Sequence, residues 1–365
     1  MTILYIVDYY SPHIGGVETL FAHITQQTIQ QWDTAILLTS KHDHTIASYE
    51  VINQVHIYRV GKTRMSRINM IRKGISIIHQ YKPDLIHTST YSAALPAWIL
   101  SKLYHIPNQL HVHEVYGALR HRFLWLKAYC NKWFEQLIVW LLPWDRYTCV
   151  SRYTLNSVRT HFDLPDDKLF LETNPVDRNF WKPYNKEQEQ VVRTDKLNKL
   201  FPLDKGGLGG ILIGLYYGRT GVEKWLQHYI AALPSVIQQY PHFHAVIIAP
   251  THEPKPNYWS KRQTSHTLQS QIQQLWLEHH ITRLPPVHNK QDIKDWITAS
   301  DMVILPSLTE WFGYAMHEVA MMNTKLVTTS VGGQIETLSG YKNIYRMQQV
   351  TSEEVVEGVN MMLQK

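Results

Sequence analysis

The stretch Met302-Val303-Ile304-Leu305-Pro306-Ser307-Leu308-Thr309-Glu310-Trp311-Phe312-Gly313-Tyr314-Ala315-Met316-His317-Glu318 decides how the chain is read. Its first four residues are uninterruptedly apolar, which predicts a buried strand. Pro306 and Gly313 punctuate a polar loop, and Tyr314 to Met322 has helix-forming composition. Strand, loop, helix in that order places Glu310 in the loop and Glu318 within the following helix. A ligand lying over the helix N-terminus then meets both carboxylates. Two acids so placed suit a polyhydroxylated ligand.

Working outward, the same alternation recurs. Ile3–Val7, Ala35–Thr39, Val55–Tyr58, Asp84–His87, Gln109–His113 and Tyr147–Val150 read as strands separated by helical stretches, and a second series follows at Ile211–Ile213, Ala245–Ile248, Met302–Leu305 and Lys325–Thr329. Continuous apolar strands between helices predict parallel sheets covered on both faces, so the fold class is α/β with two doubly wound, Rossmann-like domains. Residues 1–178 are assigned to the first domain, 179–210 to a linker, 211–350 to the second domain and 351–365 to a terminal helix that is open to returning to the first. Ligands of such sheets bind at the carboxyl ends of strands, which for two facing domains means a cleft between them. Gly206-Gly207-Leu208-Gly209-Gly210 precedes a strand instead of following one, so it reads as a connector and not as a dinucleotide fingerprint.

A chain of 365 residues exceeds one ordinary core, and 44% hydrophobic with 18% charged residues is a globular composition. A net charge of +6 and an isoelectric point near 9.0 permit anionic partners without selecting one. Cys130 and Cys149 are too few for a disulfide framework, which fits a reducing compartment. Thr2–Val7 is short, lacks a basic flank and is stopped by Asp8, so no signal peptide is expected. The longest apolar run, Leu137–Leu142, falls far below the roughly 20 residues that span a bilayer. The expectation is a cytoplasmic protein, attached at most to the inner face of a membrane.

Several clusters carry chemistry, each beside a blander reading. Gly15-Gly16, followed by a helix, lets backbone N–H groups approach a diphosphate, although such a pair also makes an ordinary tight turn. Arg219 after Gly218, with Lys224 at the next helix start, brings a fork donor and a point charge to one spot that would neutralise a departing diphosphate; both are otherwise solvated loop cations. His113 closes a strand at the ligand end of its sheet, where a structural histidine is equally at home. The pairs His111/His113, His242/His244 and His279/His280 lack a second ligand set, so no metal is expected. Residues Phe123 to Leu142, behind Arg120, His121 and Arg122, read as a membrane-surface helix with a basic collar or as a core helix. Arg64, Arg67, Arg72 and Lys73 form a second basic cluster. No nucleic-acid-binding module is present, so nucleic acid is not an expected partner.

Taken in order, these motifs resemble the retaining, nucleotide-sugar-dependent glycosyltransferases of family 4, which have the GT-B fold. Gly15-Gly16-Val17-Glu18 is similar to the family's amino-terminal glycine loop, His113 to its strand-closing histidine, and Asn174-Pro175-Val176-Asp177 to its Asn-Gly-Val-Asp motif. Gly218-Arg219 with Lys224 resembles the phosphate-binding pair, Glu310 and Glu318 the E-x7-E motif, and Gly332-Gly333 with Glu336 the G-G-x-x-E that follows it.

The resemblance implies a sugar moved from a UDP-, GDP- or related nucleotide-diphosphate donor to a glycan, lipid-linked or other glycoconjugate acceptor, with no cofactor and peripheral contact with an anionic membrane as an open reading. Arg219 and Lys224 would hold the diphosphate with backbone near Gly15 and Gly16, Glu318 the ribose, Glu310 the donor sugar, and His113 the sugar from the opposite domain, with Phe312 and Gly313 also counted among the donor-binding residues. Glu310 and Glu318 would be binding groups and not a nucleophile pair. The alternatives are a sugar-nucleotide epimerase or hydrolase of the same fold and a catalytically silent interaction module. The chain departs from the family pattern at Trp225, where Gly is usual, at Pro175, at Met322–Lys325 and in the short stretch after Gly340.

Overall fold

The computed structural model describes residues 1–13, 15–61, 66–90, 92–115, 134–201, 210–250, 265–287 and 289–364. Cys130, Arg64, Arg120, His121, Arg122, residues 123–133 and Gly206 to Gly209 lie outside them. The chain divides into two compact units, Met1–Pro175 and Val176–Lys365.

In the amino-terminal unit, strands β1 (Thr2–Ile6), β2 (Thr34–Ser40), β3 (Tyr49–Ile52), β4 (Val55–Val60), β5 (Leu85–Ser89), β6 (Asn108–Val112), β7 (Arg146–Cys149) and β8 (Leu169–Leu171) form one sheet in the order β3-β4-β2-β1-β5-β6-β7-β8. Helices α1 (Gly16–Gln30), α2 (Ser66–Tyr81), α3 (Ala94–Tyr104) and α4 (Arg152–Phe162) connect them. Every pairing is parallel except that of β3 with β4. Leu4, Ile6, Ile36 to Leu38 and Leu110 are fully buried, as strands covered on both faces require. The two edge strands were not expected from sequence, because Val51, Ile52, Phe170 and Leu171 sit at the solvent margin and lack the apolar continuity of the central strands.

The carboxy-terminal unit holds α5 (Lys186–Leu200), β9 (Leu212–Tyr217), α6 (Leu226–Gln239), β10 (Phe243–Ile248), α7 (Ser265–Gln274), β11 (Ile281–Leu284), α8 (Lys290–Ala299), β12 (Met302–Leu305), α9 (Tyr314–Met321), β13 (Leu326–Thr329), α10 (Gln334–Thr337), β14 (Ile344–Met347) and α11 (Ser352–Gln364). Its sheet is wholly parallel and ordered β11-β10-β9-β12-β13-β14. From β9 the chain builds first outward through β10 and β11, then crosses to β12 on the other side. The order therefore reverses between β9 and β12, and the loops leaving these two adjacent strands diverge over one crevice, the standard ligand position of doubly wound sheets.

Two expected boundaries differ. The described part of 179–210 is built into this unit instead of linking domains. Asn185 caps α5 reciprocally with Gln188, Trp181 and Leu197 enter the core, and the guanidinium of Arg193 donates to the carbonyls of Ala299 and Ile211 and to Asp301. The polar Gln- and Lys-rich face of α5 conceals that packing in the sequence. The terminal helix α11 also lies on this unit's sheet, burying Val355, Val359 and Met362. Gly358 faces Val327 and Tyr345 so closely that a Cβ would come within 2.6 and 2.7 Å of them. Asn343-Ile344-Tyr345, a poor strand by composition, is drawn into β14 by pairing with β13 on one side and by α11 above it.

Candidate functional site

The residues of the crevice are set by the two loops. After Tyr217, Gly218 adopts φ +143, a conformation that side chains resist, and turns the chain out of β9. A single 3₁₀ turn, Val222–Lys224, then leads into α6. After Leu305 the second loop runs to Gly313, whose φ of +80 starts α9. The loops are tied together by the Leu308 N–H donating to the Glu223 carbonyl at 2.8 Å, and by an ion pair between Lys224 and Glu310. Lys224 and Glu310 are thus brought together across 86 residues of sequence.

Glu310 is buried and held from three sides. Ser307 donates to its Oε1 at 2.7 Å, Lys224 pairs with the same oxygen, and the Gly333 N–H donates to its backbone carbonyl at 2.9 Å. Gly332 has φ +59, and a Cβ there would overlap the Glu310 carbonyl oxygen. The paired glycines thus grip the backbone of the acidic loop, which gives them a physical role. Glu336 follows within α10.

Arg219 is exposed at the head of its loop and lies 3.6 Å from Glu223. The loop therefore presents two cations, each facing a carboxylate: Arg219 with Glu223, and Lys224 with Glu310.

Glu318, in the second turn of α9, is partly buried, and burial pushes its carboxyl up to about 7, opposed by the Tyr217 hydroxyl and by Lys290. Tyr217 donates to it at 3.0 Å. Tyr314, also electrostatically coupled to Glu318, has its hydroxyl buried without a protein partner. Phe312 is buried and stacks on His317 with ring centroids 4.5 Å apart, which fixes the start of α9 from the inside. Phe312 thereby braces the loop that carries Glu310. Trp225 caps α6 with φ +46, the conformation that a glycine would take without strain.

Gly15, Gly16 and His113 belong to the amino-terminal unit. Gly15 caps α1 with extended backbone, φ −175, so left-handed geometry is not what it supplies. A Cβ there would overlap the Glu18 carboxylate, whereas one on Gly16 would meet open space. Glu18 sits in the first turn and takes a 2.7 Å hydrogen bond with His13, so the N-terminus of α1 already faces a carboxylate. His113 follows β6, buried, with Nε2 unpartnered. Its ring stacks on that of His111 at 5.0 Å, which in turn stacks on that of His87 at 5.6 Å. Burial holds His87 and His113 down to about 3 and His111 well below its usual value, so the three are neutral. Among the described residues no group of three or more His, Cys, Asp or Glu is arranged to hold a metal ion.

Sequence reasoning missed Tyr217, Ser307, Thr329 and Gln334 as supports of the glutamates. Tyr217 carried a usable signal, a bulky hydroxyl on the last residue of a buried strand at the ligand end of the sheet. It also missed Asp8 at the end of β1, which accepts from Ser92 and from the Ala93 N–H at 3.3 Å.

Two family models match the chain: Glycosyltransferase Family 4 over residues 14–180 and Glycosyl transferases group 1 over residues 212–365. The GPI3 subunit of phosphatidylinositol N-acetylglucosaminyltransferase from Saccharomyces cerevisiae (strain YJM789) is 22% identical over 373 residues, covering 98% of this chain and 74% of the relative. An uncharacterized glycosyltransferase, MJ1607 of Methanocaldococcus jannaschii, is 23% identical over 375 residues, 100% of this chain and 89% of its own. Among solved structures, sucrose-phosphate synthase from Thermosynechococcus elongatus superposes with a TM-score of 0.80 at 15% identity, covering 100% of this chain and 90% of that one. Anabaena HepE in complex with UDP and glucose gives 0.75 at 17% identity with the same coverage. At these identities the structural likeness shows a common fold.

Proposed function

Because the chain belongs to glycosyltransferase family 4 and has the GT-B fold, we propose that it transfers a sugar, of the hexosyl type, from a nucleotide-diphosphate donor with retention of configuration. The observation that carries this reading is the convergence of Arg219, Lys224, Glu310 and Glu318 at the β9/β12 switch point.

The hard step is departure of a nucleoside diphosphate from an oxocarbenium-like carbon, and fixed positive charge lowers the energy of the developing anion. Arg219 and Lys224 supply that charge. Glu318 takes the ribose hydroxyls and Glu310 the hydroxyls of the donor sugar. With its carboxylate already engaged by Ser307 and Lys224, Glu310 acts as an orienting acceptor and not as a nucleophile. Retention then proceeds on one face of the sugar, with the leaving phosphate accepting the proton of the acceptor hydroxyl. His113, neutral and with its buried Nε2 unpartnered at the end of β6, is the amino-terminal unit's own candidate for a ligand contact.

The acceptor is a glycan or lipid-linked glycoconjugate. This is supported by the relative whose name includes phosphatidylinositol, and by exposed Trp140 and Leu141, apolar side chains that suit peripheral contact with a membrane interface. Among the described residues no helix is long and apolar enough to cross a membrane. The test is incubation with UDP- and GDP-sugars and a lipid or polysaccharide extract, followed by mass analysis. A glycosylated acceptor supports the reading. Free sugar or an epimerised donor as the sole product replaces it with a hydrolase or epimerase, and an unchanged donor replaces it with a silent module.

A further inference from the structure

Behind Glu310 lies a buried hydrogen-bond chain that none of the motifs includes. Gln334, 1% exposed, donates from Nε2 to the Thr329 carbonyl at 2.6 Å and to the Thr329 hydroxyl at 3.1 Å. The Thr329 hydroxyl, 2% exposed, donates to the Ser307 carbonyl. Ser307, also 2% exposed, donates from its own hydroxyl to Oε1 of Glu310. The bonds meet at Ser307 through two different groups: its backbone carbonyl accepts from Thr329, and its side-chain hydroxyl donates to the carboxylate. Each hydroxyl spends its single proton on the next member.

The chain starts beside Gly333, whose N–H holds the Glu310 carbonyl, and it ends on the carboxylate oxygen that pairs with Lys224. Glu310 is therefore fixed at its backbone by Gly333 and at its side chain by Ser307 and Lys224, and Ser307 is in turn held through its carbonyl by Thr329. A fully satisfied buried network of this kind holds a side chain in one rotamer, where solvent contacts would allow several. An all-apolar core would fill the same space, so the polar residues serve orientation more than packing.

We propose that Gln334 and Thr329 are positioning residues which, through Ser307, set the carboxylate of Glu310 at the angle the donor sugar requires. This rests on the reading of Glu310 as the sugar-binding acid. Such a group loses efficiency steeply when displaced by about 1 Å, a loss on the order of 100-fold at the extreme.

The test uses the full chain and a panel of UDP-glucose, UDP-galactose, UDP-N-acetylglucosamine and GDP-mannose. Thr329→Val is nearly isosteric and removes the relay hydroxyl, Gln334→Met removes the amide, and Thr329→Ser keeps the hydroxyl. The first two are expected to lower kcat about tenfold for the donor that is turned over. KM for that donor and affinity for the free nucleoside diphosphate should stay near wild type, and Thr329→Ser should restore kcat. A purely structural role would instead lower the amount of folded enzyme and leave kcat per active site intact.

Crystal structures of the wild type and Thr329→Val give a readout independent of turnover: Glu310 turned away from Lys224 in the variant is expected, and an unmoved carboxylate overturns the proposal. Glu310→Gln separates the two layers. If Glu310→Gln is impaired while Thr329→Val and Gln334→Met are not, the positioning role fails alone. If Glu310→Gln turns over donor as the wild type does, the underlying assignment of Glu310 fails, and the positioning role with it.

Discussion

The hydroxyl of Tyr217, the last residue of β9, lies 3.0 Å from Oε2 of Glu318 and 2.8 Å from the carbonyl of Ala315. One proton serves two acceptors, so Glu318 receives less than a full hydrogen bond in return for its desolvation. Burial prevails and its carboxyl rises to about 7. The carboxylate proposed to take the ribose hydroxyls is thereby kept at a cost to the folded protein.

Glu318→Gln should therefore stabilise the fold above neutral pH. With a folded pKa of about 7 against an ordinary value of 4.5, the folded state holds the extra proton within that window, and stability declines as pH rises through it. Allowing for partial solvent access, the variant should gain on the order of 1–2 kcal/mol at pH 8 and nothing near pH 4.5. Urea unfolding at both values checks this. An equal gain at the two would mean that the charge is not the cause.

Gly332→Ala should be severe. Its φ of +59 disfavours any Cβ, and that Cβ would meet the backbone carbonyl of Glu310, which has no rotamer with which to retreat. A loss of about 3 kcal/mol or more is expected, in the upper range for single substitutions, with donor affinity falling alongside. Gly16→Ala, which meets open space, serves as the control and should melt within a degree or two of wild type, as neutral surface changes do, about 0.5 kcal/mol or less.

At Trp225 two substitutions should rank in an unusual order. Both lose the indole's stacking on His228 at 4.6 Å, but only glycine relieves the left-handed backbone, φ +46. Trp225→Gly should be more stable than Trp225→Ala by about 1 kcal/mol, measured by chemical denaturation. The reverse order would show that the turn is not strained.

The column His87, His111 and His113 should make the amino-terminal unit sensitive to acid. Their folded pKa values lie below the ordinary 6.5, two of them at about 3, so the unfolded chain takes up protons first. Stability is complete above about 6.5 and falls as pH drops toward 3. His87→Leu should flatten that decline by about 1–3 kcal/mol at pH 4. Hydrogen exchange in β5 and β6, compared between pH 7 and pH 4, reads the effect. A wild-type profile that is flat over this range would contradict it.

The central strands and the loop acids were legible because local composition states them: Met302–Leu305 is apolar throughout, and Pro306 and Gly313 mark the turn. What was not legible depends on contacts distant in sequence. Strand order, which puts β9 beside β12, arises from crossover connections and not from any one segment. Tyr217 and Glu318 are separated by 101 residues, and the Thr329 hydroxyl reaches Ser307 across 22. No periodicity encodes either pairing. The packing of the described part of 179–210 is hidden for the same reason: its polar composition suggests a connector, and only the distant carbonyls of Ile211 and Ala299 reveal what Arg193 anchors.

The central claim is that Arg219 and Lys224 form the diphosphate half of a donor site completed by Glu310 and Glu318. Calorimetric titration of UDP- and GDP-sugars into the wild type and the Arg219→Ala/Lys224→Ala double variant tests it most directly. The account predicts saturable binding of at least one donor by the wild type and affinity weakened by about 100-fold in the variant, as expected for two charge-assisted contacts worth ~1.5 kcal/mol each. Equal affinity in the two proteins would contradict it.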